Sequence, residues 1–553
     1  MHAHARRRGA ACPAVILLFF LFCLLCRTGA CAVSPEMEIR ETVELFLRSY
    51  TEEAMLYEER DQRLGTVSDP GLTLSPEDEA RTFRLGQKDF TLPQLRENIA
   101  FMEKKAAYYA GMRQMQEIYR ENLRLAYTFQ KIEFEEDVCH VKVTEAAGFR
   151  YTDSVRDSVN EYVYWVDLVR LDGQWLTASV TDGSKFDKTY SGQGGAFDVA
   201  AALAEFWEAL QREDCRVTFP DLGSEEGYVI PYSGANAAAY AYTYSRLTPE
   251  AQISDYYNER FIHYAGRGGD CMNFASQCMW AGFGGSETVS AVSGHALPVD
   301  GSGESQWFGR SAGRDKVNES WISCQSFRKY LTGKGDASGG GGSNAGGETG
   351  MYATILDAAA GSSLAGVDPA ELIGAAAHIE GGTTAYGHAI VITAAEGLRR
   401  SQIYFCGHTK NVTHIKLGDV CQSEMKVYIP RYFRVREPQP GYLQPIRLAP
   451  TAAGDAGFLG VQAAGEQAEM WLTVTAPGGE RELIVAAENV SSCGAEYVFA
   501  VAGLYRVECG AKASPDAGAA SAVFYVRCYE PAFSEVETIE EEEPEEFDQP
   551  SAV

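Results

Sequence analysis

The sequence predicts a chain of several domains in the mixed α+β class, and three observations lead to this prediction. A single hydrophobic core stops growing at about 250–300 residues, whereas this chain has 553. In the N-terminal third, helical periodicity precedes a run of strand-like segments, which is typical of an α+β domain. Further on, a glycine-rich turn leads into a helical segment and then β-branched strands, and short strands alone fill residues 452–532.

The first residues have the pattern of a secretory signal. Residues 6–8 are arginine, residues 14–26 are mostly apolar, and Ala30-Cys31-Ala32 supplies the small residues of a cleavage site. The apolar run is too short for a comfortable membrane span. We therefore expect residues 1–32 to be a signal peptide that directs the chain to the medium or the cell surface. Lipid attachment at Cys31 is the less favoured alternative, because the leucine expected in a lipoprotein signal is missing.

Residues 36–190 are predicted to form the first α+β domain. Two helices, the second over residues 95–123, precede four strand-like segments. Asp172-Gly173 separates the last two segments and is a strong signal for a tight hairpin. The aromatic strand at residues 164–168, together with this hairpin, resembles the cone-shaped fold of the nuclear transport factor superfamily. In that fold such aromatic residues line a pocket or an interface, but a plain core role is the interpretation we prefer.

The rest of the chain divides where its composition changes. Residues 191–230 are predicted to be a linker with one helix, and residues 231–435 form the domain that carries the glycine-rich turn. Four prolines mark a second linker over residues 436–451. Residues 452–532 alternate in short strands, which predicts a β-sandwich of roughly immunoglobulin type. The acidic, proline-containing residues 533–553 are expected to be disordered.

Charge and composition exclude several classes of partner. The formal net charge is −28, and removal of residues 1–32, which hold four arginines and no acidic residue, takes it to −32. Such a charge disfavours nucleic acid and anionic membranes. No later segment has 18 consecutive apolar residues, so no membrane span is expected after cleavage. No C-x-x-C pair or ligand-spaced cluster predicts a metal or cofactor. Ten cysteines remain after cleavage, and their spacing leaves the disulfide pairing open.

Cys271 stands where the glycine-rich turn meets the helical segment. Backbone N–H groups at a helix start have no partner within the helix, and the peptide dipoles leave partial positive charge there. Both effects favour the thiolate, which is the nucleophilic form. Asp270 suits the helix-cap position. Asn273 and Gln277 share a helix face away from Cys271, so we expect them to tie the helix to its neighbours.

His388 is the best candidate for the base that this thiol needs. It follows Gly387 and begins the apolar, β-branched run 388–393, which predicts a buried strand. Histidine titrates in the range that proton transfer near neutral pH requires. The remaining histidines after residue 32 lie in the first domain, in predicted loops or at element ends: His140, His263, His295, His378, His408 and His414.

Five separated motifs resemble those of one known family. They are Tyr240-Ala241, residues 270–277, Ser320-Trp321, residues 387–393 and residues 407–409. Together they resemble the putative amidase domain family of secreted Gram-positive-type proteins, which belongs with the papain-like cell-wall hydrolases. The resemblance covers about residues 231–432. It implies a papain-like fold in which Cys271 is the nucleophile, His388 is the base and a polar residue orients the imidazole.

Two residues are candidates for that polar residue. Alternation along the strand 403–408 puts Tyr404, Cys406 and His408 on one face. His408 ends this strand, beside the expected position of His388 if the two strands are neighbours, and we favour it. Asn411, in a predicted turn, is the alternative, because papain-like sites also use that polar type.

The resemblance implies a secreted cysteine amidohydrolase that cleaves amide bonds of cell-wall peptides through an acyl-enzyme. The alternative is a non-catalytic surface or wall-binding protein that keeps the fold with a degenerate site. Two departures from the family motivate this alternative. Gly374-Ala375 stands where the family commonly has Gly-Asp, and the glycine-rich residues 337–350 look like an insertion near the cleft.

Overall fold

The computed structural model describes most of the chain between Ser34 and Cys528. The described residues are 34–56, 65–69, 72–220, 228–259, 261–264, 269–283, 307, 319–332, 350–381, 384–435, 443–447, 456–463, 468–490, 492–501, 503–512 and 520–528. The predicted signal peptide (1–32) and acidic tail (533–553) lie outside them, as does the glycine-rich stretch except for Gly350.

The N-terminal unit packs helices against an antiparallel sheet. Its helices are α1 (Pro35–Leu56), α2 (Pro76–Glu79) and α3 (Leu92–Met115), and its strands are β1 (Thr82–Leu85), β2 (Lys88–Thr91), β3 (Arg120–Glu135), β4 (Val138–Tyr151), β5 (Asp157–Leu171) and β6 (Gln174–Thr181). Strands β3 to β6 pair in chain order. Apolar residues of α1, α3 and these strands form one buried core, with Ile39, Ile99 and Val166 fully buried.

Two local predictions in this unit have different outcomes. The tight hairpin at Asp172-Gly173 is confirmed, because Leu171 pairs with Gln174 and both turn residues have positive φ, as a type I′ turn requires. The helix predicted over residues 95–123 is too long at its C-terminal end. It stops at Met115, since the chain from Arg120 onward pairs as a strand with β4.

The central unit contains a long sheet with helices packed against it. A connecting segment supplies α4 (Lys185–Tyr190), α5 (Val199–Leu210) and β7 (Cys215–Thr218). The central elements are β8 (Tyr228–Pro231), α6 (Gly234–Thr243), α7 (Cys271–Gly282), α8 (Glu319–Ile322), α9 (Cys324–Thr332), β9 (Gly350–Ala358), β10 (Ala376–Gly381), β11 (Thr384–Ala395), β12 (Ile403–Gly407), β13 (Val412–Lys416), α10 (Leu417–Val420) and β14 (Met425–Val435). The strand order is β13-β12-β11-β10-β14-β9-β7, and β8 pairs with β14. Helices α6 to α9 share one apolar core with this sheet.

The first two units share one 12-stranded sheet, although their sequences predict separate domains. Strand β13 pairs with β5 through Thr413 and Val159, and this pair joins the two sets of strands. Buried charges support the junction. Asp419 of α10 accepts hydrogen bonds from Arg113 Nε at 2.5 Å and Arg120 Nε at 2.9 Å. Burial raises the pKa of Asp419, but the guanidiniums of Arg120 and Arg113 outweigh it and hold that pKa below its ordinary range.

The C-terminal unit consists of two antiparallel sheets. Its strands are β15 (Leu443–Arg447), β16 (Ala456–Ala463), β17 (Ala468–Thr475), β18 (Arg481–Val490), β19 (Ser492–Val498), β20 (Gly503–Lys512) and β21 (Ala520–Cys528). One sheet has the order β15-β16-β19 and the other β18-β17-β20-β21. Leu459 of the first sheet and Leu472 of the second belong to the same buried core. Strand β15 lies within residues 436–451, so the predicted proline-rich linker contains a strand. Pro445 is accommodated because β15 is an edge strand.

In the described residues, no helix combines the length and the hydropathy that crossing a membrane requires.

Candidate active site

Cys271 is the first residue of α7, as the glycine-rich turn predicts. Gly269 precedes the helix with a φ of +112°, a conformation that side-chain-bearing residues rarely adopt, and a Cβ there would lie 3.0 Å from Thr409 Oγ1. Thr409 Oγ1 also accepts a hydrogen bond from the Asp270 backbone N–H at 2.8 Å. The turn is thus attached to the end of β12, which fixes where the helix starts.

The structure brings Cys271 and His388 together. The imidazole of His388, near the start of β11, is in hydrogen-bond contact with the Cys271 thiol, and the backbone of Ala389 bonds to the same sulfur. His388 is half-buried and Gly387 before it is exposed, so this side of the pair faces solvent. Cys271 itself is 9% exposed. A thiol and an imidazole in contact at the edge of a core are the parts of a cysteine–histidine nucleophile.

A second thiol also contacts Cys271. Cys324 is the first residue of α9, and its side chain is hydrogen-bonded to the Cys271 sulfur. This hydrogen bond is the largest influence on Cys271 and lowers its pKa. Burial opposes that effect, but the hydrogen bond and the charge of His388 add to the lowering, so the pKa of Cys271 lies far below that of a free thiol. The same hydrogen bond, together with burial, raises the pKa of Cys324. The interaction therefore shifts the two thiols in opposite directions, toward the thiolate at Cys271 and away from it at Cys324.

His408 has hydrogen-bond partners other than His388, which the sequence predicts. Its Nδ1 lies 2.9 Å from Asp270 Oδ2 and its Nε2 lies 2.7 Å from the Tyr244 carbonyl oxygen. Its ring is stacked against that of Phe274, with the ring centroids 3.9 Å apart. Both ring nitrogens are thus occupied, so neither is available to orient His388. His408 directly follows β12, which ends at Gly407, and its partner Asp270 is 138 residues away in the chain.

Asn411, the alternative for the same role, is also bonded elsewhere. Its Nδ2 donates to Glu161 Oε2 at 3.0 Å, and Glu161 belongs to β5 of the N-terminal unit. Arg246 Nη1 donates to the same Oε2 at 2.7 Å. Asn411 therefore takes part in the junction between the two units. In the described part of the chain, the contacts that position His388 are those of its own strand, where it pairs with Ile379, and of Cys271.

Asp270 holds the start of α7 rather than capping its backbone. Its Oδ1 accepts hydrogen bonds from the Tyr264 backbone N–H at 2.7 Å and from Asn273 Nδ2 at 2.8 Å, while Oδ2 faces His408. Asp270 is fully buried and His408 is 2% exposed. The helix-cap role predicted for the Asp270 side chain is therefore replaced by a buried polar cluster directly behind the nucleophile.

Asn273 and Gln277 attach α7 to its neighbours, in the way their shared helix face predicts. Asn273 Oδ1 accepts from Trp321 Nε1 at 2.8 Å, and Gln277 Oε1 accepts from Tyr240 OH at 2.8 Å. Trp321 and Tyr240 come from two of the motifs that carry the family resemblance. These motifs therefore fix the position of the nucleophile's helix.

His378 is a site-adjacent residue that the sequence reasoning missed. It lies on β10 beside Ala389, and its Nε2 is 3.2 Å from Met272 Sδ. Burial lowers the pKa of His378 to about 3, so it is neutral at physiological pH. It is fully buried between Phe327 and Tyr428. A neutral, buried imidazole is suited to packing below the site rather than to proton transfer. The sequence indicates only that His378 is buried, because its neighbours in the chain are apolar.

Within the described residues, no group of three or more His, Cys, Asp and Glu side chains is placed to hold a metal ion.

The family match with known proteins lies in the central unit. Residues 231–429 match the family described as "Putative amidase domain". The resemblance predicted from the sequence is confirmed by this match. Its limits coincide closely with the predicted domain of residues 231–435, and it includes Cys271, Cys324 and His388.

Other comparisons add little. No curated protein matches the chain. Two solved structures are similar over part of it. The Kfla4162 protein from Kribbella flavida has 21% identity and a TM-score of 0.17, over 26% of this chain and 89% of that one. A polysaccharide lyase (BACCELL_00875) has 12% identity and a TM-score of 0.14, over 33% of this chain and 26% of that one. At these TM-scores neither likeness carries an argument about fold or function.

Proposed function

We propose that the central unit is a cysteine-dependent amidohydrolase with Cys271 as its nucleophile and His388 as its general acid and base. The observation that carries the proposal is the contact between a Cys271 thiolate, at the start of α7, and the half-buried imidazole of His388. The match of residues 231–429 to an amidase family supports amide hydrolysis as the reaction class. A papain-like relationship remains part of the proposal and is supported by the chain order of the two residues.

The reaction follows from this geometry. The Cys271 sulfur attacks the amide carbonyl carbon, and the carbonyl oxygen gains negative charge. Backbone N–H groups of the first turn of α7 have no partner within the helix, so they can stabilise this charge. The imidazolium of His388 then donates a proton to the leaving amine. Water, deprotonated by His388, attacks the thioester and releases the acid with the free thiol.

The buried cluster behind Cys271 gives this site its rigidity. Asp270 contacts His408 and Tyr264 from two other segments and Asn273 from the first turn of α7, so the residue next to the nucleophile is held on both sides of the helix start. We propose that His408 is a positioning residue that acts through Asp270 and does not touch substrate. A misplacement of the nucleophile by about 1 Å can cost about 100-fold in rate, which gives such support a large effect.

For the substrate and location, we propose peptide amides of the cell wall and export of the chain. The support is the secretory pattern of residues 1–32 and the resemblance to secreted cell-wall hydrolases. Mass spectrometry of protein recovered from the medium or the cell surface is expected to find an N-terminus between residues 31 and 35. A recovered protein that still begins at Met1 would exclude cleavage.

The function is tested by incubating digested cell walls with the purified full chain. The wild type is expected to release new amino groups, and Cys271→Ala is expected to release none above background. Cys215→Ala provides a matched control, because Cys215 is a half-exposed cysteine of β7 and should leave the release unchanged. If the wild type releases no amine but binds cell walls as well as Cys271→Ala does, the wall-binding alternative replaces the hydrolase.

A further inference from the structure

Hydrolysis requires one thiol, yet two thiols meet in this site. Cys271 and Cys324 each occupy the first position of a helix, and the two sulfurs are hydrogen-bonded to each other. Both side chains belong to the core that packs α7 and α9 against the sheet, and their exposed fractions are 9% and 8%. The reaction proposed above assigns no step to Cys324.

A comparison with another cysteine pair shows what is particular to this one. Cys406 lies close enough to Cys278 to help raise its pKa, but both are fully buried. Burial raises the pKa of Cys278 and raises that of Cys406 to about 11, so neither is a thiolate at neutral pH. Cys271 differs in both respects, since its pKa is lowered and its side chain is 9% exposed rather than fully buried. Thiol–disulfide exchange needs such an accessible thiolate and a second thiol within reach.

We propose that Cys271 and Cys324 are a redox-active dithiol, which a low-molecular-weight disulfide oxidises to an intrachain disulfide. This proposal uses the proposed function only for its consequence, namely that the disulfide removes the nucleophile. The oxidised chain is then a latent form, and reduction restores the thiolate next to His388.

The exchange occurs in two balanced steps. The Cys271 thiolate attacks one sulfur of the small disulfide, forms a mixed disulfide and expels one thiolate, which takes up a proton. The Cys324 thiol then loses its proton, attacks the Cys271 sulfur and expels the second small thiol. Two protein thiols are oxidised to one disulfide, while one small disulfide is reduced to two thiols. The sulfur atoms must come within about 2.0 Å, so rotation of the two side chains accompanies the second step.

The test treats the reduced full chain with excess glutathione disulfide, blocks free thiols and maps the peptides without reduction. The expected product is a peptide pair joined through Cys271 and Cys324, together with a loss of Cys271 alkylation by more than about tenfold that dithiothreitol reverses. Cys324→Ser is expected to retain glutathione on Cys271 without any cross-link. Cys215→Ser is the control and should form the same cross-link as the wild type.

Two outcomes would overturn the proposal. One is wild-type protein that keeps glutathione on Cys271 without a cross-link, and the other is a cross-link that joins either residue to a different cysteine. A second measurement needs no variant, in case Cys324→Ser fails to fold. Phenylarsine oxide bridges neighbouring thiols, so it should join the two peptides in wild-type protein, and the absence of this adduct would also reject the dithiol.

The failure of this proposal can be told apart from the failure of the proposed function. Peptide mapping needs no substrate, so a chain that forms the cross-link but hydrolyses nothing in either state keeps the dithiol and loses the hydrolase. A chain that hydrolyses amides through Cys271 but never forms the cross-link keeps the hydrolase and loses the dithiol.

Discussion

Asp270 and Cys271 are adjacent in the chain, yet their side chains lie in opposite kinds of environment. Asp270 is fully buried, and its two oxygens contact His408, the Tyr264 backbone and Asn273. Cys271 lies in the apolar core at 9% exposure, where a second thiol, the backbone of Ala389 and the half-buried His388 act on its sulfur. The comparison shows that one helix start can combine a polar cluster with saturated contacts and a thiolate that is free to react. The cluster provides stability, and the thiolate provides chemistry.

The largest effect is expected when the reactive side of this comparison is removed. Cys271→Ala should lower amide hydrolysis by about four to six orders of magnitude, because it removes the nucleophile and the raised pKa of Cys324 makes that thiol a poor substitute. The free energy of unfolding should change by no more than about 1 kcal/mol, since the side chain is small and His388 can meet water instead. Release of amines and thermal unfolding measure the two quantities. A large loss of stability together with unchanged hydrolysis would mean that Cys271 is a structural residue and not the nucleophile.

Removal of the base is expected to have the next largest effect on rate. His388→Ala should lower turnover by about two to four orders of magnitude, because proton transfer to the leaving amine is lost. The pH profile of Cys271 alkylation should also move to higher pH, since the imidazolium partner helps to hold the thiolate. His263→Ala is a matched control, because His263 is an exposed histidine of the same unit. An unchanged rate in His388→Ala would exclude His388 from the mechanism.

The structural side of the comparison is tested by Asp270→Ala. This change leaves His408 Nδ1 and the Tyr264 N–H without their acceptor and removes one of the two acceptors of Asn273 Nδ2, so it should cost about 3–5 kcal/mol of stability. Urea unfolding measures the loss. Glu36→Ala removes a carboxylate from an exposed ion pair with Arg40 and should cost less than about 1 kcal/mol. Equal costs for the two variants would mean that the Asp270 cluster contributes no special stability.

A buried carboxylate whose partners are hydroxyl groups sharpens the comparison further. Glu145 is fully buried on β4, and its Oε1 accepts a hydrogen bond from Thr51 Oγ1 at 2.8 Å. Burial raises the pKa of Glu145 to about 8, against smaller opposing hydrogen bonds. Because the folded-state pKa lies above the unfolded value, the carboxyl group stabilises the fold fully only below the unfolded pKa. That stability is lost as pH rises through about 8.

Glu145→Gln is therefore expected to become more stable relative to the wild type as pH increases from about 4 to about 8. Urea midpoints measured at several pH values give this difference. Glu133→Gln is the control, because Glu133 is exposed on the neighbouring strand and should follow the wild-type pH dependence. A stability difference that stays constant with pH would mean that Glu145 is ionised in the folded protein.

The sequence predicted those parts of the site that depend on local pattern. A glycine-rich turn before a helix and a histidine before a β-branched run were enough to select Cys271 and His388. The partner of His408 could not be predicted, because Asp270 and Tyr244 are more than 130 residues away in the chain. Cys324 gave no signal either, since a lone cysteine after Trp321 has no spacing that distinguishes it from core. The same reason applies to the shared sheet, where Val159 and Thr413 meet only through tertiary folding.

Whether Cys271 is a thiolate at neutral pH is tested most directly by the pH dependence of its alkylation by iodoacetamide in the reduced, intact chain. Cys215 provides an internal reference, because burial raises its pKa to about 11 and its labelling should increase steeply with pH. We predict that Cys271 is labelled first and that its alkylation rate is nearly constant from about pH 6 to about pH 8. A Cys271 alkylation rate that rises about tenfold per pH unit, in parallel with that of Cys215, would show that Cys271 is an ordinary thiol and not a thiolate.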